Sequence, residues 1–284
     1  MNIGIVLSGG MAKGAYHIGA LQAIEELIPK NSVTVTSASS IGALNAYAYN
    51  CGKLELAKNL WGELCHDNMR ISVGKLLKSS LLQSIVNKLC SDCDYLTHDF
   101  YITLYDAAKN SLIYKNLRTS NKKDIPLLLK ASIAMPIYNT PVKIDSASYF
   151  DGAMIDNIPI FPLAKHKLDH IICVYFDDVC YTFENSDFDK KVIKITFPSE
   201  NFIRQSIIFE KNSIEQMIKE GYEKTFSKLS FIFGHDINNM INVYEKAELL
   251  NKTITNREMR ITGDMLVTNL NKVTKKFTKR KVIY

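Results

Sequence analysis

Hydrophobic positions change their period several times along the chain, and each change marks an element. Residues 2–8 are a short apolar run, the pattern of a buried strand, and residues 9–14 follow as a glycine-rich turn. Apolar side chains then recur at Ala15, Ile18, Leu21, Ile24 and Leu27, a helical stripe. Residues 33–38 are β-branched and alternating, which predicts a strand, and within three residues the chain turns small, apolar and helix-compatible over 41–47. Helices are predicted near 54–64 and 73–89, the second with Val73, Leu77, Leu81, Ile85 and Leu89 on one face. That face predicts packing on the core, with a mobile cover over an apolar site as the sharper alternative.

Residues 100–106 and 112–115 read as strands joined by a turn at Lys109 and Asn110, and residues 124–132 as a helix stopped by Pro136. Short strands are expected at 142–144 and 148–150, further core strands at 170–176 and 192–197, and an amphipathic helix at 214–229. Beyond residue 230 the periodicity weakens, with helices expected at 238–250 and 259–277. Strands alternating with helices, without internal repeat or obvious linker, predict an α/β layered fold.

Composition changes this picture little. At 284 residues, 46% hydrophobic and 23% charged, the chain suits one large domain or a domain with an appendage. No apolar run reaches the roughly 18–20 residues of a membrane span. The apolar start lacks a basic side chain and carries Gly4, Gly9, Gly10 and Gly14, so the expectation is a mature, soluble, cytoplasmic protein rather than one led by a signal peptide. The six cysteines are scattered, and Cys90 and Cys93 form a C-x-x-C pair with no second pair at a suitable spacing. Free thiols are the expectation, and no metal or cofactor is implied.

Charge is uneven. Of the net +6, residues 231–284 hold ten basic and five acidic side chains, and the last fourteen residues hold six basic and none acidic. A nucleic-acid binder would spread such charge over a face and interleave aromatics, so nucleic acid is not an expected partner. A solvated end is one reading of the tail, and contact with an anionic membrane surface the other.

Candidate chemistry gathers at three places. Ser40 stands where the 33–38 strand gives way to a helix, flanked at two residues' distance by Ala38 and Gly42. A sharp strand-to-helix turn needs such small flanks and holds its serine above a helix N-terminus, where developing negative charge is favoured. The alternative is a Ser-rich connecting loop. Residues 9–14 sit between strand and helix, where backbone N–H groups converge on an anion. Phosphate-loop readings fail there, because Ala15 and Tyr16 stand where Lys and Ser/Thr must be, which leaves an oxyanion loop open. Asp151 directly follows a strand and precedes Gly152, at a sheet edge where sites are built; a turn carboxylate is its plainer reading. Ser72 and Lys75 match S-x-x-K, but neither K-T-G nor S-D-N accompanies them.

Together these features resemble the patatin-like phospholipase family. The resemblance rests on Gly9, Gly10, Met11, Ala12, Lys13 and Gly14 against G-G-G-x-R/K-G, and on Ala38, Ser39, Ser40, Ile41 and Gly42 against G-x-S-x-G. It rests further on Asp151, Gly152 and Ala153 with Asn157, Ile158 and Pro159 against D-G-G/A and N-x-P, and on the stretch from Ala131 through Pro136 to Pro141 and Val142. It runs from about residue 3 to 229, motifs in order, and implies a three-layer α/β/α fold with a mainly parallel sheet. Residues 1–229 would be the catalytic domain and 230–284 a helical, basic extension.

The chemistry implied is cleavage of phospholipid or other acyl-ester lipids by a Ser40–Asp151 dyad, with Gly9, Gly10 and Met11 as oxyanion donors and Lys13 orienting the loop. Met11 departs from the third glycine of the loop and Ala38 from the first glycine of the elbow. His17 reads as structural. Competing expectations are a catalytically silent lipid- or protein-binding module, and the same dyad acting on soluble esters, thioesters or in acyl transfer.

Overall fold

A computed structural model describes residues 1–64, 71–72, 80–91, 96–136, 138–177, 179–197, 208–234, 240–254 and 257–279. The chain opens with β1 (Ile3–Leu7), α1 (Ala15–Leu27), β2 (Val33–Ala38), α2 (Ile41–Asn50), α3 (Leu54–Glu63), β3 (Ile71–Ser72) and α4 (Ser80–Cys90). It continues with β4 (Asp99–Asp106), β5 (Ser111–Asn116), α5 (Ile125–Ser132), β6 (Val142–Ile144), β7 (Ala147–Asp151), β8 (His170–Tyr175) and β9 (Cys180–Phe183). Last come α6 (Ser186–Asp189), β10 (Val192–Thr196), β11 (Ile208–Phe209), α7 (Lys211–Phe233), α8 (Met240–Lys252), β12 (Glu258–Ile261) and α9 (Gly263–Lys279).

The fold is α/β, with a mixed but mostly parallel central sheet flanked by helices. Strands run in the order β10-β8-β1-β2-β4-β7-β6, and β5 pairs with β4. The first five are parallel, and β7, β6 and β5 are antiparallel to their neighbours. Alternation divides the core as a pleat demands. On β8, Ile172 and Val174 join the larger cluster under α1, α2, α3, α5 and α7, while Ile171, Cys173 and Tyr175 face the opposite cluster with Ile160, Leu163 and Ile261.

The order of strands matters most at β4. Its Asp99–Ile102 half pairs with β2, its Leu104–Asp106 half pairs with β7, and β5 lines the other edge. Thus β2 and β7 share one edge from opposite directions. Ala38, ending β2, lies opposite Ile102, and Asp151, ending β7, lies opposite Leu104. The residues that follow each strand are brought together over Thr103.

Helix α7 crosses α1 at a glycine contact on each side. A Cβ on Gly19 would stand 1.9 Å from the Ile218 carbonyl oxygen, and one on Gly221 would stand 2.3 Å from that of Tyr16. Beyond this crossing the C-terminal segments join the sheet's flank: Asn251 donates to the Val192 carbonyl at 2.7 Å, and β12 pairs in parallel with β9.

Two expectations are corrected. Residues 259–277 are not one helix: Glu258–Ile261 is a strand, and the helix begins only at Gly263, where the Thr262 hydroxyl accepts from the Met265 N–H at 3.2 Å. Free thiols hold for Cys90, Cys173 and Cys180, but Cys51 is disulfide-bonded, a pairing that depends on proximity in space rather than on spacing along the chain. The expected helix at 73–89 lies partly outside the described residues. Its described part, α4, buries Leu82, Ile85, Val86 and Leu89 in the core. Among the described residues no helix is long and apolar enough to cross a membrane.

Candidate active site

Ser40 ends the turn between β2 and α2 with φ +51° and ψ −131°, a strained conformation for an L-residue. The tightness is visible at Gly42, where a Cβ would stand 2.7 Å from the Ser8 carbonyl oxygen and 2.9 Å from that of Leu7. The first turn of α2 therefore rests directly on the end of β1. Ala38 is wholly buried in the sheet, where its methyl fits.

The Ser40 hydroxyl stands near enough to the Asp151 carboxyl to draw its pKa down. Asp151 is 2% exposed, and burial pushes its pKa up to about 7, against the opposing pull of the Ser40 hydroxyl and the Ala153 N–H. The Ala153 N–H lies 2.9 Å from Oδ1. Gly152 packs against β4, since a Cβ there would meet the Thr103 Cβ at 2.8 Å.

The glycine-rich loop lies beside this pair: a Cβ on Gly9 would fall 3.0 Å from that of Ser40. Gly9 donates its N–H to the Asn157 carbonyl at 3.3 Å, so the first of the three candidate oxyanion donors is already engaged. Among the described residues the N–H groups of Gly10 and Met11 make no backbone hydrogen bond. Met11 takes φ +52°, the left-handed region where a third glycine would be free of strain. The conformation turns the backbone without removing the N–H.

Behind the loop, the Phe176 ring lies on Gly10, where a Cβ would fall 2.1 Å from its Cδ2. Lys13 is buried and its Nζ donates to the Phe176 carbonyl at 3.4 Å; burial pulls its pKa down to about 8, and the Asp177 carboxylate counters. Gly14 closes the loop against Ile41 and Trp61, and its carbonyl accepts from Asn45 Nδ2 at 2.8 Å while Trp61 Nε1 donates to Asn45 Oδ1 at 3.0 Å.

His17 is wholly buried with its ring 4.5 Å from that of Phe176, and burial holds its pKa near 3, so it stays neutral. A cavity of about 600 Å³ lies apart from these residues, between α1, α3 and α7 and lined by Gln22, Gly62, Ile214 and Ile218.

Ser40, Asp151 and the loop, all expected from the sequence, stand side by side in the structure. Asn45, Trp61 and Phe176, which support the loop, are not among the residues expected from the sequence. Asn45 did leave a signal, as an amide in the apolar run of α2.

Residues 5–164 match the family model described as Patatin-like phospholipase. A lysophospholipase, NTE1, of Cryptococcus neoformans is 26% identical over 189 residues, which are 61% of this chain. The chain spans 11% of that relative's length. Among solved structures, VipD of Legionella pneumophila is 12% identical, with a TM-score of 0.46 over 98% of this chain and 86% of that one. The type III effector ExoU of Pseudomonas aeruginosa is 15% identical, with a TM-score of 0.45 over 81% of this chain and 53% of that one. A match that spans the strands carrying the glycine-rich loop, the Ser40 turn and the buried Asp151 leads to one conclusion: this chain belongs to the patatin-like phospholipase family.

Proposed function

We propose that the chain is a serine lipid acyl hydrolase of the phospholipase A or lysophospholipase type, working through Ser40 and Asp151. The supporting observation is the placing of the Ser40 hydroxyl beside a buried carboxyl whose pKa is raised to about 7, at the end of the glycine-rich loop. A serine is a weak nucleophile until an adjacent base takes its proton, and a carboxylate raised to that value is a better base than an ordinary Asp.

In the first step Asp151 takes the Ser40 proton as Oγ attacks the ester carbonyl. The N–H groups of Gly10 and Met11, beside the N-terminus of α1, receive the oxyanion; losing one such donor typically costs about 10²–10³ in rate. Collapse breaks the ester C–O bond, and the departing alcohol takes the proton from Asp151. Water then attacks acyl-Ser40 while Asp151 accepts its proton. The fatty acid leaves as Ser40 regains its hydrogen. The family and the lysophospholipase relative support an acyl-ester lipid as the substrate class.

Contact with an anionic membrane surface belongs to the same reading. Helix α9 turns Leu270 and Val273 inward and carries Lys272 and Lys275 on its exposed side.

A fluorophosphonate probe should label Ser40, and release of fatty acid from lysophospholipid micelles should vanish in Ser40→Ala and fall by several orders of magnitude in Asp151→Asn. Labelling of Asp151→Asn at the wild-type rate would remove Asp151 from the mechanism. Vesicle binding by wild type without fatty acid release would favour a silent lipid-binding module.

A further inference from the structure

Three segments supply the site: the loop at 9–14, the turn at 39–41 and the stretch beginning at Asp151. One residue outside the proposed chemistry touches the first two and belongs to the third. The Asn157 carbonyl accepts from the Gly9 N–H at 3.3 Å and from the Ser39 hydroxyl at 2.8 Å. Its side-chain Nδ2 donates to the Gly9 carbonyl at 3.3 Å, and the Ser39 hydroxyl lies 3.5 Å from Oδ1. Gly9 is thus gripped at both its N–H and its C=O. The grip is close: a Cβ on Gly9 would stand 2.5 Å from Asn157 Oδ1, so only a glycine brings the loop this near.

Asn157 is exposed, but the peptide that leads to it is held from several sides. The Ile155 and Asp156 N–H groups donate to the Gly152 carbonyl at 2.9 and 3.1 Å, folding the stretch after Asp151 into a turn. Tyr114 on β5 donates to Asp156 Oδ2 at 2.5 Å, and Asp156 is 2% exposed. From outside, Asn269 of α9 donates to the Ile155 carbonyl at 3.1 Å. A peptide fixed in this way gives the Asn157 carbonyl and amide a firm base from which to hold Gly9 and Ser39.

We infer that Asn157 is the positioning residue of the site, seating the oxyanion loop and the nucleophile's turn on the same peptide that leads back to Asp151. The inference rests on the reading of Ser40 and Asp151 as an ester-cleaving pair. Asn157 touches no reacting atom; it sets where the Gly10 and Met11 N–H groups stand relative to Ser40 Oγ. Since a misplacement of about 1 Å is worth on the order of 10²-fold in rate, the amide should matter to turnover far more than to binding.

The test uses the full chain with Asn157→Asp, Asn157→Ala, Ser39→Ala and the double variant of Ser39→Ala with Asn157→Ala. Asn157→Asp keeps the shape and the main-chain carbonyl but replaces the donor to Gly9 by a negatively charged acceptor. Asn157→Ala removes the donor without adding charge, so it and the exchange measurement separate loss of positioning from charge repulsion. Expected are a kcat lower by about tenfold to 10²-fold with KM within twofold, slower fluorophosphonate labelling of Ser40, and faster amide hydrogen exchange across residues 8–11. Ser39→Ala should lower labelling less, and the double variant should lose less than the two single losses multiplied, because the two residues share a contact. Unchanged kcat and unchanged exchange in Asn157→Asp and Asn157→Ala would overturn the inference. Should Asn157→Ala fail to fold, Asn157→Asp and Ser39→Ala decide it. Should wild type itself neither label nor hydrolyse, the ester-cleaving reading falls, and the exchange comparison still judges the grip on Gly9.

Discussion

At the scale of single residues, burial of Asp151 ties pH to both activity and stability. As the proposed base, Asp151 must be ionised to work, and burial disfavours the ion, so hydrolysis should rise through an inflection at about pH 7 rather than near the ordinary 3.8. Stability runs the other way. A folded pKa above the unfolded value stabilises the fold fully below about 3.8, and this contribution is lost as pH rises to about 7. Asp151→Asn should therefore raise Tm relative to wild type above pH 7, by an amount that shrinks toward pH 4; a pH-independent difference would contradict the assigned burial. Met11 offers a second measurement. At φ +52° a β-branched residue is worse placed than Met and glycine is better. Met11→Val should slow Ser40 labelling at least tenfold, and Met11→Gly should leave it equal or faster, as timed labelling would record. Ser40, Asp151 and the glycines were legible in the sequence because each sits in a local pattern that its chemistry demands. The grip of Asn157 on Ser39 was not legible, since each stands in its own local motif but the two are 118 residues apart and nothing in either motif names the other.

Among elements, the crossing of α1 and α7 depends on atoms that are absent. Gly221→Val would drive side-chain carbons into the Tyr16 carbonyl and should lower stability by about 2 kcal/mol or more, seen as a fall in Tm with the far-UV spectrum retained. The same change in an open position, Gly62→Val, meets nothing within 4 Å and should cost only about 0.5 kcal/mol or less. Most elements of the sheet and its larger helical face were legible, because alternation and 3.6-residue stripes follow from which side is buried. The missed β9 and β12 show where that legibility ends. Each has four residues, they pair with each other across 74 intervening residues, and the burial of β12 is confined to Ile261. A strand that buries one side chain leaves no alternation to see. The start of α9 did carry a signal, Thr262 as N-cap before Gly263, but the apolar spacing from Met259 onward hid it.

For the whole molecule, α9 lies across the sheet's antiparallel end. Val273 and Leu270 pack with Tyr105, Phe150 and Ile155, and Thr274 donates to Asn110 Oδ1 at 2.5 Å. Replacing Lys272 and Lys275 by Gln leaves that inner face intact. If the outer face meets anionic lipid at about 1 kcal/mol per basic side chain, the pair should weaken binding to phosphatidylserine vesicles by more than tenfold at physiological salt, with no loss on zwitterionic vesicles. Equal cosedimentation of the variant would remove the tail from membrane contact. The sharing of one β4 edge by β2 and β7 has a consequence of a different kind. With Ala38 seated on Ile102 and Asp151 on Leu104, β4 is the ruler that sets the gap between serine and carboxylate, in graduations of about 3.3 Å. A one-residue insertion at Thr103 would lengthen that ruler by one graduation and also invert one half of β4 relative to the other. The chain's tolerance of indels should therefore fall to its minimum not in the site's own loops but in the middle of a strand that contributes no atom to the reaction.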